Sequence, residues 1–241
     1  MEQTLDRRLM LRPLALPFEH GAWGFLLEPI VLGMLIAPSV AGLFVAIGVV
    51  AAFLVRHPLR LALQDRKRGA RYPRTAVCEA FAASYALVAL IAFSLAGIEP
   101  LVPLLAVAPL ALIQVFLNGR SLAAETLGSL VAGASATAIV LAAHQPLTIA
   151  LALWALVVAR GIPSILYVRA TLGRGNRAVM IAAHVAAVLL AIAIAPLPAT
   201  FAMVVLLARA VPNASKLRAK EIGIREIAYG VLTVVLIAIG Y

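Results

Sequence analysis

The chain has 241 residues, 64% of them apolar and only 12% charged, with a mean hydropathy of +1.06 and a formal net charge of +10. Soluble domains carry roughly 25% charged residues, so half the usual solvating surface is missing and a soluble globular domain is excluded. Disorder is excluded too, because it needs low hydrophobicity together with high charge. What remains is an all-α polytopic membrane protein, built from segments near the ~20 residues that cross a bilayer. The lone cysteine, Cys78, excludes an internal disulfide or a cysteine cluster.

In chain order, hydropathy between charged or turn-rich breaks predicts nine spans, near 18–37, 39–56, 76–96, 100–118, 122–143, 147–168, 178–195, 198–211 and 224–240. The eighth is short enough to be tilted or to reach only part way. Residues 1–17 form a short N-terminal segment and the rest is one integral membrane domain. Arg12 and Pro13 interrupt the apolar stretch Leu9–Leu16, and no small-residue cleavage site follows, so the N-terminus does not read as a secretory signal. Ala37-Pro38-Ser39, Pro146 and Pro196-Leu197-Pro198 mark tight turns.

All twenty Lys and Arg fall on one side of this topology. They lie before span 1, between spans 2 and 3, at Arg120, at the end of span 6 with its following loop, and between spans 8 and 9. The opposite loops carry only Glu99 and His144. By the positive-inside rule the N-terminus is cytoplasmic and the C-terminus is outside. The net positive charge then serves orientation and attraction to anionic membrane lipids. Nucleic acid is not an expected partner, since no soluble domain carries a recognition element.

Ionisable residues inside spans are costly and usually functional. Within span 1, Glu28 lies eleven residues after Pro17, about 16 Å along a helix. Arg160 lies nine residues before Arg169 in span 6, about 13 Å from that end. The two are expected to face the bundle interior at similar depth, either as a structural ion pair or as the lining of a polar cavity. Span 6 reads as broken, because Arg160-Gly161-Ile162-Pro163-Ser164 sets a hinge and a helix breaker beside the arginine. Tyr167 and Arg169 follow on the same segment. Span 2 ends in Arg56-His57-Pro58, so spans 2 and 6 share an Arg followed by Pro, which hints at a four-helix duplication. In the loop after span 2, Arg71, Tyr72 and Arg74 either face solvent or fold back over a pocket.

Ser121 is a natural N-cap for span 5, and Glu125 lies one residue beyond the capping-box position, with Arg120 as its expected partner. Glu19 and His20, in Pro17-Phe18-Glu19-His20-Gly21-Ala22-Trp23, form a possible N-terminal site for proton chemistry or merely anchor the first helix. His184 reads as a hydrogen-bonded packing residue. Glu226, near the start of span 9, suits the positive end of the helix dipole. The sequence holds no phosphate-binding glycine loop, no nucleophile elbow and no His/Cys set with metal-ligand spacing. Three readings stay open: an intramembrane transferase, a transporter or lipid-handling protein, and an assembly subunit of a membrane complex. In the first, Arg56, Arg71, Arg74, Arg120, Arg160, Tyr167 and Arg169 line a cytoplasm-facing cavity that binds an anionic amphiphile. Glu28, His57 and Glu125 then handle protons.

The strings EHGAW (19–23), EP (28–29), RHPLRLAL (56–63), RYPRT (71–75), NGRSLAAE (118–125) and PSILYVRA (163–170) resemble those of the YwiC-like family of bacterial integral membrane proteins. The resemblance covers nearly the whole chain and implies a bacterial cytoplasmic (inner) membrane location. It brings no established activity. More distantly, the nine-span layout is similar to UbiA-type intramembrane prenyltransferases, which implies a UbiA-like bundle and an isoprenoid substrate. Those enzymes hold magnesium on a diphosphate with Asp motifs after helices 2 and 6. Here only Asp65 remains of the first motif, with His57 and Leu61 at its earlier positions, and Arg160–Ser164 stands at the second. Hard cations favour carboxylate oxygens. The resemblance therefore implies either an anion held directly by Arg forks without a bridging metal or the loss of prenyl transfer.

Overall fold

The computed structural model describes residues 11–16, 20–69, 72–117, 121–212 and 218–241, with the side chains of residues 20–22, 115 and 219 left aside. The described residues are helical almost throughout, without strands. Among the described residues, a helical turn at 11–15 precedes nine longer helices: α1 (His20–Ile36), α2 (Val40–Lys67), α3 (Pro73–Ala96), α4 (Val102–Phe116), α5 (Leu122–Ala142), α6 (Leu147–Thr171), α7 (Arg177–Ile194), α8 (Leu197–Ala210) and α9 (Ala219–Gly240). A single 3-10 turn, Glu99–Leu101, leads into α4. Six of these helices, α2, α3, α5, α6, α7 and α9, are long and apolar enough to cross a membrane, while α1, α4 and α8 are shorter apolar helices.

Local chemistry sets the boundaries. The Ser39 hydroxyl accepts from Gly42 N at 2.9 Å to open α2, and Ser121 accepts from Ala124 N at 3.1 Å to open α5. Asn176 does the same for α7 through Ala178 N and Val179 N. These caps satisfy amides that have no partner within the helix. Gly69 (φ 68°) and Gly173 (φ 72°) turn the chain out of α2 and α6 in the left-handed region, which glycine enters without penalty.

Two helices differ from the sequence expectation for the same reason. The second extends eleven residues past Arg56 to Lys67, and the sixth runs unbroken from Leu147 to Thr171 through Gly161 and Pro163. An internal proline removes one backbone hydrogen bond, and the turns on either side of Pro58 and Pro163 keep the helix going. Pro163 therefore sits in a continuous α6, not in a broken span.

Six helices form a closed ring in which each packs on the next: α1, α5, α6, α7, α8, α9 and back to α1, with α6 also reaching α1 and α9. The α2–α3 hairpin and α4 flank this ring, packed chiefly on α5. The most enclosed helix is therefore α5, where every residue from Gly133 to Val140 is buried. Its small side chains let neighbours approach closely: a Cβ on Gly33 of α1 would stand 3.0 Å from Ile139 Cβ. Outward faces are apolar instead, as at Leu90 (67% exposed), Ile192 (63%) and Ile239 (70%). That distribution suits hydrocarbon surroundings.

Candidate functional site: a buried charge cluster

The ring holds two layers. Towards the end where α6 begins, Leu32, Leu153, Leu156, Met203 and Ile237 pack as one apolar cluster. Towards the end where α6 finishes, each of the six helices supplies at least one buried or half-buried polar side chain: Glu28 (α1), Ser129 (α5), Arg160, Ser164 and Tyr167 (α6), His184 (α7), Arg209 (α8), and Glu226 and Tyr229 (α9).

Arg160 is the hub. Its Nη2 donates to Glu28 Oε1 at 3.2 Å and to the backbone oxygen of Glu226 at 3.0 Å, and its Nη1 reaches Glu226 Oε2 at 3.4 Å. Arg209 pairs with the other Glu226 oxygen and donates to Ser164 Oγ at 2.8 Å, a hydroxyl that also accepts from Arg160. The Arg209 guanidinium lies between the rings of Tyr167 and Tyr229, 4.5 and 4.6 Å from their centroids, a cation–π sandwich that offsets part of its lost hydration. The arginine side chains are 4% and 5% exposed. Two carboxylates and two guanidiniums balance formally, which is the condition under which such charges are tolerated away from water.

Glycines admit these contacts. A Cβ on Gly230 would overlap the Glu28 carboxylate and stand 3.2 Å from Arg160 Nη2. A Cβ on Gly161 would overlap the Ser129 hydroxyl. The space between Glu28, Leu32, Val157, Arg160, Thr233 and Ile237 amounts to about 10 Å³, room for one water at most. Among the described residues, Arg160 Nε, Arg209 Nε, His184 Nε2 and Ser129 Oγ have no hydrogen-bond partner. The His184 ring bonds Met180 O through Nδ1 at 2.8 Å. That bond assigns the proton to Nδ1 and leaves Nε2 as an acceptor.

The residues singled out from sequence therefore divide. Glu28, Arg160 and Tyr167 come together, as the depth estimate for Glu28 and Arg160 expects. Arg169 pairs with Glu125 at 3.0 Å near the end of α6, half-exposed and apart from the hub. That gives Glu125 a partner other than the expected Arg120. His57 donates from Nε2 to Pro13 O at 2.9 Å and so anchors residues 11–16. Arg74 makes a two-pronged bond to fully buried Asp65, 3.0 and 2.6 Å, joined by Thr75 Oγ1 at 3.0 Å. Arg56 is half-buried on α2, outside the ring. Glu19, Arg71, Arg120 and the His20 side chain lie outside the described residues. The described arginines among those singled out from sequence, Arg56, Arg74, Arg160 and Arg169, thus sit in separate places and do not line one space.

Sequence reasoning missed Arg209 and Glu226. By sequence the first belongs with the basic residues between spans 8 and 9 and the second with the dipole of span 9. Position carried the available signal: Arg209 still lies within α8, and Glu226 lies two turns inside α9.

Among known proteins, the family described as YwiC-like protein matches residues 16–144. No curated protein and no solved structure matches the chain. The matched stretch contains α1–α5, and hence Glu28 and Ser129, while Arg160, Arg209 and Glu226 lie beyond it.

Proposed function

Because the chain belongs to the YwiC-like family, a membership that fixes lineage and leaves the activity open, we propose a function from the ring: a non-enzymatic transporter of a small polar or charged solute. One observation carries this reading. Arg160 is shared between two carboxylates on different helices, Glu28 of α1 and Glu226 of α9. Neutralising either acid, by a proton or by a bound cation, releases the guanidinium to the other and changes how α1 and α9 are tied through α6. Ionisable groups facing a bundle interior typically mark solute or proton pathways, and transporter sites lie near mid-membrane between such helices. The apolar layer at Leu32, Leu153, Leu156, Met203 and Ile237 would be the closed gate on one side.

The topology belongs to the same proposal. Nine helices cross the bacterial cytoplasmic membrane, with the N-terminus inside and the C-terminus outside. The support is the one-sided distribution of all twenty Lys and Arg. The contact of Tyr241 Oη with Ile194 O, at 3.5 Å, agrees with this, since it joins two segments assigned to the outer side. Reporter fusions at both termini test it, and equal accessibility of the two ends would refute it.

A second reading is a divergent UbiA-like transferase that grips an isoprenoid or other anionic amphiphile without a bridging metal. The unpartnered Nε–H groups of Arg160 and Arg209 support it, because two guanidinium forks that share Ser164 and Glu226 suit a phosphate. The neutral charge balance and the ~10 Å³ space weigh towards the first reading. Solid-supported membrane electrophysiology on proteoliposomes separates the two. Transient currents with a small solute, lost in Glu28→Gln and Glu226→Gln, support transport. No current across a panel of small ions and zwitterions, together with EDTA-resistant binding of a prenyl diphosphate that Arg160→Gln removes, supports the transferase instead.

A further inference from the structure

Outside the ring, α2 and α3 enclose an open lateral groove of about 420 Å³ with a wholly apolar lining. Ile47, Val50 and Leu54 form one wall and Tyr85 and Val88 the other. Behind it, Gly48 lets the helices close on the Phe93 ring, where any Cβ would collide. One end of the groove is capped by the chain itself. Tyr85, which lines the wall, donates its hydroxyl to Ala15 O at 3.4 Å. His57, two helical turns beyond Val50 on the same face of α2, holds Pro13 O. Residues 13–15 therefore lie across the groove's end, and they carry the exposed Arg12 beside it.

The length of α2 sets the level of that cap. Val40–Lys67 has 28 residues, about 42 Å at ~1.5 Å per residue, against ~30 Å of hydrocarbon. Counting from Val40, the hydrocarbon span is used up near Arg60, about 30 Å along. The groove then lies at acyl-chain depth, and His57, Arg60 and the Arg12 segment lie at headgroup level. An apolar slot open sideways to hydrocarbon, closed at its polar end by a hydrogen-bonded strap next to the exposed Arg12, with Arg60 three residues beyond His57 on α2, has the chemistry of one molecule: a phospholipid with a net negative headgroup.

We infer that the α2–α3 groove is a specific site for an anionic phospholipid, one acyl chain lying along Ile47–Leu54 and Tyr85–Val88 and the headgroup phosphate held by Arg60 and Arg12. The site is separate from the Arg160 cluster and stands whichever way that cluster works. Its selectivity comes from the headgroup end, since the lining offers no polar group to tell one tail from another.

The test uses the full chain reconstituted in equal parts phosphatidylglycerol and phosphatidylcholine, then gently extracted for native mass spectrometry. The expected result is one retained phosphatidylglycerol per chain, with phosphatidylcholine much less retained. Each basic residue near a membrane surface adds about 1 kcal/mol of attraction, so Arg12→Gln and Arg60→Gln should each cut the preference roughly fivefold. Ile47→Trp fills the groove from a position already 41% exposed, so it should abolish retention with an unchanged melting temperature. Cross-linking with a photoreactive acyl chain should label residues 47–54 or 85–88. Equal retention of both lipids, unchanged retention in Ile47→Trp, or labelling confined to other helices would overturn the inference.

Discussion

Gly230 lies where any side chain would run into the Glu28 carboxylate. The absent side chain on α9 is what allows a glutamate on α1 to reach an arginine on α6, and what lets that arginine also touch the α9 backbone at Glu226 O. Gly230→Ala should therefore act as an ion-pair mutation although it removes no charge. In an exposed helix interior the same change favours helix by roughly 1 kcal/mol. Here the expected outcome is a lower melting temperature in detergent, with a loss approaching that of Glu28→Ala.

Removing the hub leaves the cluster unbalanced. Arg160→Met would strand Glu28 and Glu226 with Arg209 as their single counter-charge. Breaking a buried pair in this way costs about 3–5 kcal/mol. Adding Glu28→Gln to Arg160→Met restores the balance of one acid and one base and should recover part of that loss. Thermal unfolding of the two single variants and the double variant gives the coupling. Simple additivity would mean that Glu28 and Arg160 do not interact.

Asp65→Asn should loosen the α2–α3 connection. It replaces a buried carboxylate that accepts two bonds from Arg74 and one from Thr75. Hydrogen bonds to charged groups contribute about 1.5–3 kcal/mol. The readout is trypsin cleavage among Arg66, Lys67, Arg68, Arg71 and Arg74, which should become faster. Glu79→Gln serves as the comparison. It weakens the exposed pair with Arg66, and such pairs contribute about 0–1 kcal/mol.

The strap at residues 11–16 gives a direct assay for His57. Its bond to Pro13 O holds the segment that contains Arg12. His57→Ala should speed proteinase K cleavage within residues 11–16 while leaving the melting temperature of the bundle nearly unchanged. Tyr85→Phe removes the longer bond to Ala15 O and should have the smaller effect. If the histidine takes part in solute movement instead, transport would fall in His57→Ala with no change in cleavage.

Much of this architecture was legible from residue order. The nine hydropathic stretches correspond to nine helices among the described residues, and Ser39 and Ser121 cap as their types suggest. Glu28 and Arg160 could be paired across 132 positions because each is a conspicuous charge in an apolar run and their depths agree. The rest of the cluster could not be read this way. Arg209 and Glu226 sit close enough to helix ends to pass for topogenic or dipole residues, and only the ring closure of α8 and α9 onto α1 turns them inward. Prolines misled in the other direction. A breaker motif describes an isolated helix, whereas packed neighbours hold Pro58 and Pro163 within continuous ones. Gly230 carries no chemical signal at all until its neighbour across the ring is known.

The enclosed position of α5 bears on how the protein is made. Its mean hydropathy, 1.4, is below the 2.0–2.2 of the other five long helices, because Ser129, Gly133, Ser135 and Thr137 take places where aliphatic side chains would favour lipid. Alone in a bilayer it is the least eager of the six to stay, yet four other helices rest against it. Gln114 of α4 donates to Ala124 O from the side made earlier, and Thr137 then donates to Ala150 O and Trp154 to Leu130 O, so α6, which the ribosome delivers next, completes the enclosure. Biogenesis should then hold α5 less firmly in a nascent chain truncated between α5 and α6 than in one truncated after α6.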